Sequence, residues 1–175
     1  MICDNCQSQM RRSRASKRAP YHYTECGLGN VYLAGLYVRR CGQCGQETPE
    51  IPHMIELHDR IGDELVTKPT ILEGPEIRFL RKNLGLRAAD LAEFLETSAV
   101  SVSRWETGEQ LMSKENDKLL RYFYVRFKED TSKRMFREQL VQRLSHIEHE
   151  PKSLIMNIMF GRGGKMSTEL VEAAA

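Results

Sequence analysis

Four cysteines limit what the first third of this chain can fold into. Cys3 and Cys6 are separated by two residues, as are Cys41 and Cys44, and 34 residues lie between the pairs, giving C-x2-C-x34-C-x2-C. Each C-x-x-C turn presents two thiolates to one ion, so the two turns together have the ligand count of a closed tetrahedral site. Gly45, directly after the second turn, lets the backbone fold tightly enough for its N–H groups to reach sulfur. Four protein ligands leave no open position for a substrate. The expectation is one structural Zn²⁺ per chain, held by Cys3, Cys6, Cys41 and Cys44. Thiol redox chemistry is the other use of such pairs, but it usually sits in a βαβ setting, which this stretch lacks. Cys26, inside the loop, reads as a small buried thiol, with a place in the site as the second reading.

Between the pairs, Tyr21 to Thr24, Val31 to Leu33 and Leu36 to Val38 are rich in aromatic and β-branched residues, with Gly27, Gly29 and Gly35 as breaks. The pattern predicts a small sheet that carries the second turn back to the first. Such a sheet buries little apolar surface, so metal binding is expected to be a condition of its folding. Arg11, Arg12, Arg14, Lys17 and Arg18 form the densest basic cluster. No aromatic residue is interleaved for base stacking, so a solvated loop is expected, with phosphate or an acidic partner surface as the alternative.

After Pro49 the pattern changes period. Ile51, Met54, Ile55, Leu57, Ile61 and Leu65 recur at helical spacing and predict a helix from about His53 to Val66, with Pro52 suited to its first position. His53 and His58 do not share a helical face, which favours surface or capping roles over a metal pair. Lys68-Pro69-Thr70 breaks the helix and reads as a hinge. Gly74-Pro75-Glu76 then opens a helix to Leu84, with Ile77, Leu80 and Leu84 inward and Arg78 and Lys82 directed to phosphate or solvent.

Leu84 to Gly108, LGLRAADLAEFLETSAVSVSRWETG, is the most informative stretch. Leu91, Ala92 and Leu95 mark one helical face, and Val102 with Trp105 repeats the spacing after a break at Glu96 to Ser98. Ser98 is a good N-cap for the second helix and Gly108 a natural stop. These 25 residues resemble the Cro and cI-like (XRE) helix-turn-helix family, most specifically in Ser103 to Gly108. The resemblance implies a second helix in the major groove. It implies base-facing positions at Ala99, Val100 and Arg104, further DNA contacts at Ser98 and Ser101, and Arg87 and Lys114 near phosphate. Arg104 is the strongest candidate, because a guanidinium pairs bidentately with guanine, whereas Val100 offers only contact to a thymine methyl. Glu106 resembles the family's structural glutamate and is expected to pair with Arg81. Glu96 stands where many members carry glycine, and a glutamate fits that turn if its backbone avoids a positive φ.

The cysteine pairs, the YHYTECGLGNVYLAG core at Tyr21 to Gly35 and the following helices together resemble the YgiT-type zinc finger proteins, which include MqsA-family antitoxins. That resemblance implies an α+β protein by parts: a small β-rich, zinc-ribbon-like module joined to an all-α Cro/cI-like helix-turn-helix domain with a C-terminal helical extension. The expected divisions are 1–50, 51–73, 74–128 and 129–175. The implied partners are double-stranded operator DNA, a second copy of the chain and a small ribonuclease toxin gripped by the zinc module. The implied function is transcriptional repression as an autoregulatory antitoxin, or as a stand-alone regulator without a toxin.

Lys114 begins a helix with Leu119, Leu120, Phe123 and Phe127 on one side, which is expected to complete the helical core. A further helix is expected from about Ser132 to His149, facing either a dimer partner or its own domain. Leu154 to Phe160, LIMNIMF, reads as an apolar contact patch, followed by a flexible Gly-rich segment and a disordered end. Net charge is +2, too small to argue for nucleic acid by itself. Residues 1–50 carry seven basic and four acidic side chains, whereas residues 74–130 balance. No nucleophile with its base occurs, so no enzyme activity is expected. The start has no basic-then-apolar segment, and no 18-residue apolar run occurs, so the cytoplasm is expected and a membrane is not.

Overall fold

The computed structural model describes residues 1–128, 154–161 and 165–172. Among the described residues, five helices and two sheets give a mixed α+β fold, and the chain divides into two compact units. The first holds residues 1–25, 29–57 and the C-terminal strands; the second holds 26–28 and the helical chain from His58. No described helix is long and apolar enough to cross a membrane.

The first unit contains two sheets. β1 (Met10–Arg14), β4 (Tyr37–Cys41) and β5 (Glu47–Glu50) form one in the order β1-β4-β5, antiparallel throughout. The basic run expected as a solvated loop is therefore largely strand β1, because its alternate side chains find cross-strand partners. Arg12 reaches Glu50 and lies over the Tyr37 ring, and Arg39 also pairs with Glu50 at 2.7 Å. The second sheet joins β2 (Tyr21–His22), β3 (Val31–Ala34), β6 (Leu154–Phe160) and β7 (Met166–Glu172) in that order.

The segment expected to be an exposed contact patch is instead the first strand of the hairpin β6–β7, and the last residues expected to be disordered, Ala173 to Ala175, lie outside the described residues. Its Leu154, Met156, Ile158 and Phe160 alternate inward, and β6 runs parallel to β3 with Val31 opposite Met156 and Leu33 opposite Ile158. Asn30 locks this register: its carbonyl accepts the Met156 amide at 2.6 Å and its side chain donates to the Leu154 carbonyl. Each buried large apolar side chain stabilises by roughly 1.5–3 kcal/mol, so β6 is part of this unit's core. Gly35 shows how closely the pieces fit, since a Cβ there would lie 2.2 Å from the Phe160 carbonyl oxygen.

The second unit is built from helices, the first of which begins at the end of the 29–57 segment of the first unit. α1 (Met54–Thr67) starts two residues later than Pro52 suggests, because His53 takes a positive φ of 55° outside the helix. α2 (Gly74–Asn83), α3 (Ala88–Phe94), α4 (Ala99–Thr107) and α5 (Lys114–Phe127) follow. Gly62 of α1 lies against Tyr124 of α5, where a Cβ would come within 1.9 Å of the phenol oxygen.

The break after Thr67 is no hinge. Arg121, fully buried, donates to the carbonyls of Lys68 and Thr70 at 2.6 Å each and pairs with Asp117 at 2.8 Å, while Asp117 accepts the Leu72 amide. Buried Lys68 in turn bridges to Glu76 at 2.9 Å. Leu120 and Phe123 are buried as expected, but because Asp117 and Arg121 take inward positions on α5, Leu119 and Phe127 are exposed, and Tyr124 and Val125 are buried in their place. The helix expected at Ser132 to His149 lies outside the described residues.

Candidate functional site

The two cysteine turns have the same construction. In the first, Gln7 donates its amide to the Cys3 carbonyl at 2.9 Å and Cys3 donates to the Ser8 carbonyl at 2.9 Å. In the second, Gly45 donates to Cys41 at 3.1 Å and Cys41 donates to the Gln46 carbonyl at 2.9 Å. The residue after each pair has positive φ, 60° at Gln7 and 75° at Gly45. Only the second carries the glycine that such a backbone favours, which is why the equivalence is hidden in the sequence.

The β1–β4 ladder then brings the turns together, because its first pair is Met10 with Cys41. All four sulfurs lie within 4.8 Å of one another, with Cys3 to Cys44 at 3.5 Å and Cys6 to Cys41 at 3.4 Å. A tetrahedral ion with metal–sulfur bonds of about 2.3 Å would separate its ligands by about 3.8 Å. The donor set therefore fits one tetrahedral metal ion of the thiolate-loving kind. Cys26 is half-buried and stands outside the set.

The thiols are not equivalent. Burial pushes Cys3 up to about 11. Hydrogen bonds from the Ser8 hydroxyl and backbone bring Cys6 down to about 6, and the Gln46 backbone lowers Cys44. Because a metal takes thiolates, its binding must displace a proton from buried Cys3, and acid must oppose it.

In the helical unit, Ser98 caps α4 by accepting the Ser101 amide at 3.0 Å, and its hydroxyl contacts that of Ser101 at 2.9 Å. Gly108 ends the helix with φ 78°. Val102, Trp105 and Glu106 turn inward, so Ala99, Val100, Ser103, Arg104 and Thr107 share the exposed face. Arg104 has no carboxylate partner among the described residues.

Glu106 anchors this face from beneath. Arg81 donates to it through Nη2 at 2.9 Å, and Arg78, expected at phosphate or in solvent, donates through Nε at 3.2 Å. Burial alone would raise the Glu106 carboxyl, but the hydrogen bonds and charge of Arg81, then of Arg78, hold it below the ordinary carboxylate value. Arg78 stands three residues before Arg81, on the same helical face, and that spacing was the available signal.

The remaining candidates lie at helix starts. Arg87 precedes α3, where Asp90 accepts its backbone amide at 2.7 Å and pairs with its guanidinium at 2.7 Å. The side-chain hydrogen bond from Arg87 holds Asp90 at about 2. Lys114 is the first residue of α5, after the Ser113 cap. Glu96, between α3 and α4, has φ 49°, so the turn does take a positive φ, and glutamate bears the strain that glycine would avoid. No family model, curated protein or solved structure matches this chain.

Proposed function

We propose that the protein is a zinc-containing, sequence-specific DNA-binding repressor of transcription that acts as a homodimer. The observation that carries this reading is Arg104. It stands exposed on α4 without a carboxylate partner among the described residues, two positions before the Glu106 that two arginines of α2 hold from below. A guanidinium so presented matches O6 and N7 of guanine, and Ala99 and Val100 beside it are small or apolar enough for close approach to a base edge. In the proposed complex α3 and α4 act as a helix-turn-helix, with α4 in the major groove and Lys114 and Arg87 on phosphate. Two copies would place their α4 helices about 34 Å apart, one turn of DNA.

Zinc has a structural role in this reading, held by Cys3, Cys6, Cys41 and Cys44. We take the chain to be an autoregulatory antitoxin whose zinc module holds a small ribonuclease. A stand-alone regulator is the second reading, favoured by the β6–β7 hairpin. The chain returns after the helices to complete the sheet of its first unit, an extension that the resembling antitoxins lack.

Selection of duplexes from a random pool by the full-length protein tests DNA reading. A two-fold symmetric motif with half-sites one turn apart is expected, and recovery of unenriched sequence would refute it. Low-salt purification from the native host separates the two readings. A small ribonuclease retained by the protein identifies an antitoxin, and its absence favours the stand-alone regulator.

A further inference from the structure

Gln46 is not a ligand, yet it touches both cysteine turns. Its backbone carbonyl closes the second turn by accepting the Cys41 amide at 2.9 Å. Its side chain reaches across to the first turn, where Oε1 lies 3.1 Å from the Cys3 sulfur. Cys3 is fully buried, so water does not take over that contact. The turns' common construction sharpens the point. Gln46 occupies in the second turn the place that Ser8 occupies in the first.

We propose that Gln46 is a positioning residue of the metal centre, whose amide is the outer hydrogen-bond partner that keeps Cys3 bound to the ion. The inference rests on the reading that the four cysteines hold zinc. An amide suits both states of the sulfur: its oxygen accepts from a thiol, and its NH2, exchanged by a half-turn about the last side-chain bond, donates to a thiolate. An N–H on a bound thiolate withdraws charge from sulfur, which makes it harder to protonate and slower to leave the metal. Without that donor a buried thiolate carries its charge unrelieved. Partners of this kind fix ligand orientation and tune ligand basicity at metal sites.

Full-length protein loaded with Co²⁺ or Zn²⁺ tests this with Gln46→Leu, which removes the amide, and Gln46→Glu, which keeps its shape but loses its donor. Wild type should show the visible d–d bands of tetrahedral four-thiolate cobalt, and both variants should keep them. Both should shift the sulfur-to-cobalt charge-transfer band to longer wavelength, because a sulfur without its hydrogen bond gives up electrons more easily. Both should lose zinc to a competing chelator at roughly tenfold to hundredfold lower chelator concentration. A merely structural role for Gln46 would leave the charge-transfer energy unmoved. Variants that match wild type in both band position and zinc affinity would overturn the proposal. A wild type without the four-thiolate bands would remove the zinc reading itself, and this inference with it.

Discussion

Met10 stands directly opposite Cys41 at the end of the β1–β4 ladder, and this one pairing brings the two cysteine turns to a common point. The sheet and the sulfur cluster therefore depend on each other. Replacing Cys41 with Ser removes one ligand and is expected to release the metal and unfold the first unit. In hydrogen exchange, protection should vanish from 1–25, 29–57 and the β6–β7 strands, while α2 to α5 keep theirs. Protection that survives throughout the first unit, or one zinc still held tightly, would contradict this.

The C-terminal hairpin gives a second test of the same unit. Ile158 is buried and stands opposite Leu33. Ile158→Ala should destabilise the first unit by roughly 2–5 kcal/mol through lost transfer energy and the cavity left behind. Ile155→Ala, on the half-buried face, should cost clearly less. Equal costs, read from chemical denaturation with a probe in the first unit, would argue against the strand assignment.

Arg121 fixes the crossing between α1 and α2 through three backbone carbonyls, those of Val66, Lys68 and Thr70. Arg121→Met leaves Asp117 buried without its charge partner and should destabilise the helical unit by roughly 3–5 kcal/mol. Adding Asp117→Ala should recover part of that loss, because the second change removes the stranded carboxylate. A double mutant showing the plain sum of the single losses would mean that the two side chains are not coupled.

Glu106 predicts a pH dependence whose sign follows from its depressed carboxyl. A carboxylate favoured by folding contributes stability that is fully present above its unfolded value, near 4.3 for glutamate, and lost as pH falls through its lower folded value. The helical unit should therefore weaken on acidification below about pH 4.5. Glu106→Gln should lower stability at neutral pH and flatten that part of the profile. Urea denaturation followed by Trp105 fluorescence between pH 3 and 7 reads both effects. An unchanged slope in the variant would assign the acid loss to other groups.

Legibility in the sequence followed the range of the interactions. The helices were readable from period and caps: Ser98 and Gly108 are local signals, and they bound α4. The cysteine spacing likewise announced a four-sulfur cluster. Contacts distant in sequence were hidden. Nothing near Leu154 indicates that LIMNIMF will lie parallel to β3, although two seven-residue runs around a Gly-rich loop carry the hairpin signal. Arg121 and Asp117 look like an ordinary surface pair at helical spacing until three distant carbonyls give the arginine a reason to be buried. Gln7 hides the symmetry of the cysteine turns because its positive φ is imposed by the turn's hydrogen bonds and not by its residue type.

In the proposed function, α4 reads bases through Arg104. The most direct test measures wild type and Arg104→Ala at one salt concentration, on the selected duplex and on a random duplex of equal length. The expected result is a loss of about 1–3 kcal/mol on the selected duplex, relaxed preference at one position of each half-site, and little change on random DNA. Equal losses on both duplexes would make Arg104 a phosphate contact and contradict the claim.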